Sequence, residues 1–152
     1  MDRAMRLHLL LALALLAFLA SCRMDERQSG IPPAAQEAMD TLTEDFNAGR
    51  FDKIYREAAE EWRGRVTEEQ SGETFRTLKE RLGAIREREY TSGRQQQTPV
   101  GNLPPGSLVL RYNTRFDKAE GMETLTLIER EGRYLLAGYS VSSNLLKPAG
   151  DK

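Results

Sequence analysis

Only two residues of this chain carry a thiol or an imidazole, groups that commonly act in nucleophilic catalysis or bind transition metals. The sequence contains a single cysteine, Cys22, and a single histidine, His8. His8 lies inside an apolar stretch over residues 7–20, and Cys22 follows that stretch almost directly. A thiol can act as a nucleophile, a metal ligand or an acceptor for lipid, so the sequence around Cys22 decides which chemistry to expect.

The segment before Cys22 has the parts of an export signal. Two arginines among the first six residues give it a positive start, and residues 7–20 form an apolar core of the length that secretory signals use. This run is shorter than the roughly 20 apolar residues that a membrane-spanning helix needs. The small residues Ala20 and Ser21 then allow a peptidase to approach the backbone.

The sequence LASC over residues 19–22 resembles a bacterial lipobox. The resemblance implies that the Cys22 thiol is diacylated, that residues 1–21 are removed, and that the new N-terminus is acylated. Several acyl chains hold a protein firmly on a membrane, whereas one chain binds weakly. An aspartate after the cysteine would favour the inner membrane of enteric-type bacteria. Because Arg23 stands there, the resemblance favours the outer membrane facing the periplasm, or the outer face of the cell membrane in a host without an outer membrane. An ordinary secretory signal or an uncleaved anchor is the alternative.

If Cys22 carries lipid and His8 is removed, the mature domain has no imidazole and no free thiol. We therefore expect no disulfide, Cys/His zinc site, Ser-His-Asp triad or Cys-His pair, and no metal or cofactor. The formal net charge of −1 and the pI near 6.0 lack the basic field that phosphate backbones attract, so we expect no nucleic acid partner. The carboxylate-rich run over residues 57–69 is expected to be a solvated helix surface.

The mature chain divides into a tether over residues 22–33, one domain over residues 34–146 and a loose tail over residues 147–152. Apolar residues recur at helical steps up to Gly83, with Gly49 at one helix end and Thr67 opening a capping box. The apolar period then alternates, which predicts strands, the clearest over residues 107–116. This order predicts an α+β fold, with N-terminal helices packed on one face of a curved, about four-stranded antiparallel sheet.

Several segments between residues 48 and 141 resemble a family of small exported bacterial proteins classified only as a domain of unknown function, the 4019 family. The sequence ERLGAIRERE over residues 80–89 is similar to its helix-to-strand junction, and GRYLLAGY over residues 132–139 to its closing hairpin, where tryptophan is commoner than Tyr134. The resemblance implies a cystatin-like roll of the nuclear-transport-factor-two type. The family has no agreed activity, so no functional residue is carried over from it.

Folds of the implied type often hold a small apolar ligand or an active site between the helices and the sheet. Aromatic side chains at inward positions are the candidates for lining such a pocket: Tyr55, Trp62, Tyr112 and Phe116. Plain core packing is the commoner role for aromatic residues at helical and strand spacing.

Arg86 and Arg88 share one side of the first expected strand, which is heavily charged and suits the edge of the sheet. Pairing with carboxylates across strands is the ordinary role of such residues. An anionic ligand held by the two arginines is the alternative.

The last expected strand has apolar residues on both faces. Tyr134, Leu136 and Gly138 share the core-facing phase, which leaves another apolar set on the outer face: Leu135, Tyr139 and Val141. Because exposed apolar stripes often mark interfaces, we predict that this set binds a second copy of the chain or another envelope protein. The alternatives are that a loop over residues 95–106 covers this face, or that sheet twist buries it.

Two functions from different classes therefore remain. The first is a lipid-anchored binding or interaction module of the cell envelope that is not an enzyme. The second is a cavity-bearing protein, either a small-molecule binder or an enzyme without histidine. A closed interior favours the first, and an open pocket on the order of a few hundred Å³ with convergent Tyr, Arg or Asp side chains favours the second.

Overall fold

The computed structural model describes residues 30–147 of the chain. Four helices come first: α1 (Pro33–Ala48), α2 (Phe51–Glu57), α3 (Glu60–Arg63) and α4 (Glu68–Leu82). Four strands follow, β1 (Ile85–Gln95), β2 (Leu108–Phe116), β3 (Glu120–Arg130) and β4 (Arg133–Ser142), and a 3₁₀ turn (Asn144–Leu146) closes the chain. The predicted signal, Cys22, most of the tether and most of the tail lie outside the described residues. Over residues 30–147, no helix has both the length and the apolar character needed to cross a membrane.

The helix ends follow from the residues that the sequence places there. Gly49 adopts a left-handed conformation, with φ 75°, after α1, and its N–H reaches the last carbonyls of that helix. Thr67 and Gln70 form the predicted capping box of α4. The Thr67 hydroxyl accepts a hydrogen bond from the Gln70 amide at 3.2 Å, and the Gln70 side chain accepts one from the Thr67 amide at 2.9 Å.

The strands form one antiparallel sheet in the order β1-β2-β3-β4, so each strand pairs with its neighbours in sequence. The α+β class is confirmed, with the helices preceding a four-stranded antiparallel sheet. The inward residues of β2 are the predicted alternating set, and they meet the apolar faces of α1 and α4 in the main core. This core includes Met39, Phe46, Phe75, Leu110 and Leu125.

A β-bulge in β4 changes which of its side chains face the helices. Thr126 of β3 pairs with Gly138, but the next residue, Leu127, pairs with Leu136, so Ala137 has no partner of its own. An extra residue in one strand shifts the alternation by one position. Tyr139 therefore faces inward, and the predicted inward position of Gly138 is wrong.

A second, smaller apolar cluster lies apart from the main core. Ala59, Ile128 and Ala137 form its buried centre, and Leu103 and Leu135 pack against it. Leu103 belongs to the loop between β1 and β2, whose neighbour Asn102 donates a hydrogen bond to the Glu61 carbonyl at 2.9 Å. The loop thus covers part of the last two strands, as the alternative to an exposed interface predicted.

Candidate ligand-binding cleft

Tyr112 lies in the middle of the sheet and faces the helices. It stands opposite Tyr90 on β1 and opposite Glu123 on β3. Its ring meets the Tyr90 ring edge to face, with the centroids 5.8 Å apart. The Tyr112 residue is 3% exposed, and its buried hydroxyl has no hydrogen-bond partner over residues 30–147. Burial raises the pKa of Tyr112 to about 12, so the phenol is protonated and can donate a hydrogen bond at neutral pH.

Beside Tyr112, a buried ion pair joins β1 to β3. Arg88 Nε and Nη2 donate hydrogen bonds to the two carboxylate oxygens of Glu123 at 2.6 and 3.0 Å. The Glu123 side chain is completely buried and that of Arg88 is 10% exposed. The hydroxyls of Thr114 and Tyr139 also donate to Glu123. The carboxylate is therefore surrounded by donors, as a buried charge requires.

Burial and the Arg88–Glu123 ion pair together determine the protonation states of the ionisable groups in this cluster. Burial pushes the pKa of Glu123 upward, but the Arg88 hydrogen bonds and charge, with help from Thr114 and Tyr139, hold it below its usual value. Burial pushes the pKa of Arg88 downward, and Glu123 more than offsets this effect. Burial, followed by the charge of Glu123, raises the pKa of Tyr139 well above 10. The cluster thus holds one ionised pair and protonated phenols at neutral pH.

Arg88 also connects the sheet to the first helix. Its Nη1 donates to the Thr43 hydroxyl and, at 3.4 Å, to the Met39 carbonyl. On the outward side of β1, Glu87 pairs instead with Arg115 of β2 at 2.7 Å. Arg88 therefore holds the middle of α1 against β1 while it neutralises Glu123.

An open cleft of about 770 Å³ lies between α1 and β1 beside this cluster. Its walls include apolar, polar and charged side chains, among them Ile31, Gln36, Glu37, Met39, Asp40, Thr43, Ile85, Arg88 and Tyr112. Tyr112 and Arg88 come from the sheet, and Asp40 comes from the helix. A cleft of this volume falls within the size range of small-molecule sites, and a tyrosine, an arginine and an aspartate line it.

The Protein of unknown function (DUF4019) family model matches residues 35–139 of the chain. The chain belongs to this family. The match begins in the first turn of α1, contains β1 and β2, and ends at Tyr139. The buried cluster and the cleft residues other than Ile31 and Pro33 therefore lie within the DUF4019 domain. No curated protein matches the chain. No solved structure matches it either.

The four residues predicted to line a pocket do not come together in the DUF4019 domain. Tyr112 alone lines the α1–β1 cleft. The Tyr55 hydroxyl donates to the Val66 carbonyl at 3.3 Å, and the Trp62 indole donates to Ser71 Oγ at 3.1 Å. Phe116 is buried in the main core. Core packing, the alternative stated for these aromatics, accounts for Tyr55, Trp62 and Phe116.

The three residues predicted to form an outer interface also separate. Tyr139 faces inward, with its ring 5.3 Å from that of Phe75, and Val141 packs against the same core. Their expected outward orientation is wrong because the bulge at Ala137 inverts the alternation. Leu135 alone keeps the expected face, where it packs against the small second cluster.

Sequence reasoning missed the Arg88–Glu123 pair, although one signal for it was present. Glu123 shares the phase of Leu125 and Leu127 along β3, and both leucines face the core. A charged residue in an inward phase needs a buried partner of opposite charge. The alternative in which Arg86 and Arg88 hold an anion loses its charge basis, because Asp117 and Glu123 pair with them.

No group of three or more Asp, Glu, His or Cys residues is placed to hold a metal ion in the part of the chain that the structure describes.

Proposed function

We propose that this chain is a lipid-anchored protein of the bacterial cell envelope that binds a small molecule in the cleft between α1 and β1. The observation that carries the binding role is that Tyr112, whose buried hydroxyl has no hydrogen-bond partner among residues 30–147, lines an open cleft of about 770 Å³. Buried polar groups in proteins nearly always have a hydrogen-bond partner, and a group without one is a place where a ligand gains binding energy.

The envelope address is supported by the sequence alone. Residues 19–22 match the lipobox pattern, and the preceding apolar core has the length of an export signal. An anchor at Cys22 leaves eleven residues, 22–32, before α1, so the cleft would stay within a few tens of ångströms of the lipid surface. An outer-membrane location facing the periplasm is part of this proposal for a host that has such a membrane.

The anchor is tested by labelled palmitate incorporation and by detergent phase partitioning of the expressed full chain. Cys22→Ala should lose the label and move to the aqueous phase, because it lacks the acylated thiol. Ser21→Ala is the matched control, since it keeps a small residue before the cysteine and should be labelled normally. Equal labelling of wild type and Cys22→Ala would contradict the anchor.

The binding role is tested by an NMR screen of a small-molecule fragment library against the mature protein. Fragments that bind should shift the amide signals of α1 and β1. The Gln36→Trp variant should bind these fragments more weakly, because the indole fills the cleft. Thr77→Trp, on the exposed side of α4, is the matched control and should leave the shifts unchanged. Fragments that shift no cleft residue, or that bind Gln36→Trp as well as wild type, would overturn the proposed site.

A protein partner on the outer side of the sheet stays a prediction. Tyr139 and Val141 no longer contribute to it, and Leu135 is half-buried under the small second cluster. Sedimentation analysis of the mature protein would detect self-association, and in-cell crosslinking would detect another envelope protein.

A further inference from the structure

The charges around the cleft are unequally neutralised. Six charged side chains line it: Glu37, Asp40, Glu44, Arg86, Glu87 and Arg88. Both arginines already hold carboxylates, Arg88 through Glu123 and Arg86 through Asp117 at 2.5 Å. The positive charge of the cleft is therefore cancelled from within the protein.

Two of the four carboxylates are neutralised in the same way. Glu44 pairs with Arg50 at 2.7 Å, and Glu87 pairs with Arg115 at 2.7 Å. Glu37 and Asp40 have no ion-pair partner among residues 30–147.

Glu37 and Asp40 are placed to act together. They are exposed residues three positions apart on α1, which puts them on the same side of the helix, and both line the cleft. Asp40 Oδ1 accepts one hydrogen bond, at 2.9 Å, from the neutral amide of Gln36. Among residues 30–147, the uncompensated charge at the cleft is therefore negative and lies on the helix side.

The sheet side offers a different group. Tyr112 is 3% exposed, lines the cleft and has a hydroxyl without a partner among the described residues. A neutral phenol can donate one hydrogen bond and accept others, so it matches a hydroxyl or carbonyl oxygen. This observation is independent of the carboxylates, and it limits the ligand to one that also carries a neutral polar oxygen.

We propose that the cleft selects a small organic cation with a hydroxyl or carbonyl oxygen, whose ammonium group is held by Glu37 and Asp40 and whose oxygen is held by Tyr112. The inference rests on the proposed function, because it assigns a ligand class to the same cleft. Charge-assisted hydrogen bonds from an ammonium to two carboxylates give the cation its preference over neutral and anionic molecules. Pairing of the Tyr112 hydroxyl adds the preference for an oxygen-bearing cation.

The test is an NMR titration of the mature protein with four probes at low salt. Glucosamine carries an ammonium and several hydroxyls, glucose is its neutral counterpart, glucuronate is its anionic counterpart, and hexylamine is a cation without oxygen. Glucosamine should bind the cleft about tenfold more tightly than glucose, since one charge-assisted contact is worth roughly that factor. Glucuronate should bind more weakly than glucose because of the two carboxylates.

Variants separate the two groups of the site. The double variant Glu37→Gln/Asp40→Asn should bind glucosamine and hexylamine about tenfold more weakly, because both probes lose their charge partner. Glu69→Gln/Glu129→Gln removes two exposed carboxylates elsewhere, with the same change in net charge, and should leave both affinities unchanged. Tyr112→Phe should lower the affinity for glucosamine about three- to tenfold and leave the affinity for hexylamine unchanged.

The outcomes also separate this inference from the proposed function. Glucose or glucuronate binding in the cleft as tightly as glucosamine would overturn the cation preference and leave the cleft as a ligand site. An equal effect of the two double variants would also overturn the role of Glu37 and Asp40. If no probe shifts a cleft residue, the cation assignment is wrong, and the fragment screen then decides separately whether the cleft binds small molecules.

Discussion

Replacing Arg88 with methionine should destabilise the fold more than any exposed charge change. Methionine keeps much of the length of the arginine stem but removes the charge and all hydrogen-bond donors. Glu123, whose side chain is completely buried, would lose its bidentate partner. The Thr43 hydroxyl and the Met39 carbonyl on α1 would lose the Arg88 donor, although the hydroxyl still donates to that carbonyl at 2.7 Å.

The magnitude follows from leaving a buried charge uncompensated. Breaking a buried ion pair by removing one partner costs about 3–5 kcal/mol. Thr114 and Tyr139 would still donate hydrogen bonds to Glu123, which limits the loss, whereas the lost Arg88 contacts to α1 add to it. We therefore expect Arg88→Met to lower the free energy of unfolding by about 3–5 kcal/mol at pH 7. The free energy of unfolding of a typical domain is about 5–15 kcal/mol, so this loss would be a large share of the total stability.

The loss should depend on pH in a direction set by Glu123. In the wild type the pKa of Glu123 is held below its usual 4.5, so the pair stabilises the fold above that pH and loses this contribution as the pH falls through the folded pKa. Without Arg88, burial acts against the charged form with less opposition, and we expect the pKa of Glu123 to rise above 4.5. The folded variant then takes up a proton more readily than the unfolded chain. The gap between wild type and variant should therefore be smaller at pH 5 than at pH 7.

Urea unfolding followed by circular dichroism at both pH values measures these differences. Arg115→Met is the matched control, because it removes a strand arginine whose pair with Glu87 is exposed and worth under about 1 kcal/mol. If Arg88→Met is too unstable to measure, Arg88→Met/Glu123→Leu should be more stable than the single variant, since no charge is left buried. The reasoning is refuted if Arg88→Met costs no more than Arg115→Met, or if its cost is equal at pH 5 and pH 7.

Three smaller changes have distinct expected outcomes, each measured by urea unfolding. Gly83→Ala should lower the free energy of unfolding by about 1–3 kcal/mol, because φ is 88° there and an added Cβ would overlap the side chain of Asp117; a neutral effect would contradict this close approach. Asn47→Ala should lower the free energy of unfolding by about 1–3 kcal/mol, since the Asn47 side-chain amide forms hydrogen bonds with both the N–H and the carbonyl of Ile85, at 2.8 and 2.9 Å. A loss under about 0.5 kcal/mol would show that water replaces the Asn47 side chain. Tyr112→Phe should change stability by less than about 0.5 kcal/mol, because the hydroxyl it removes has no protein partner over residues 30–147; a loss above about 1 kcal/mol would reveal a structural hydrogen bond.

The helical half of the fold was predictable because its signals are local. Gly49 ends a helix since glycine adopts positive φ at little cost, and Thr67 starts one since its hydroxyl satisfies a free amide three residues away. Each signal depends on a few neighbouring residues and on no long-range contact. The alternation along β2 was similarly visible, because one of its faces is apolar and the other charged.

The inward and outward residues of the last strand were predicted wrongly because apolar residues occupy both of its faces. Alternation alone therefore does not show which set faces the core. The bulge at Ala137 then changes the phase within the strand. One local reason for this register lies at Gly138, where an added Cβ would approach Thr126 to 3.2 Å. The contact spans twelve residues of sequence, so it becomes visible only when the two strands are paired.

The buried ion pair depends on three strands at once, which explains why the sequence alone did not locate it. Arg88 stands opposite Thr114, and Glu123 stands opposite Tyr112, so β2 separates the two charges. Two interstrand spacings amount to about 10 Å, which an arginine side chain covers only if the residue between them is small. Thr114 meets this condition and adds a hydroxyl that donates to Glu123. A large side chain at that position would block Arg88, leave Glu123 without its countercharge and remove the contact that holds α1 beside the Tyr112 cleft.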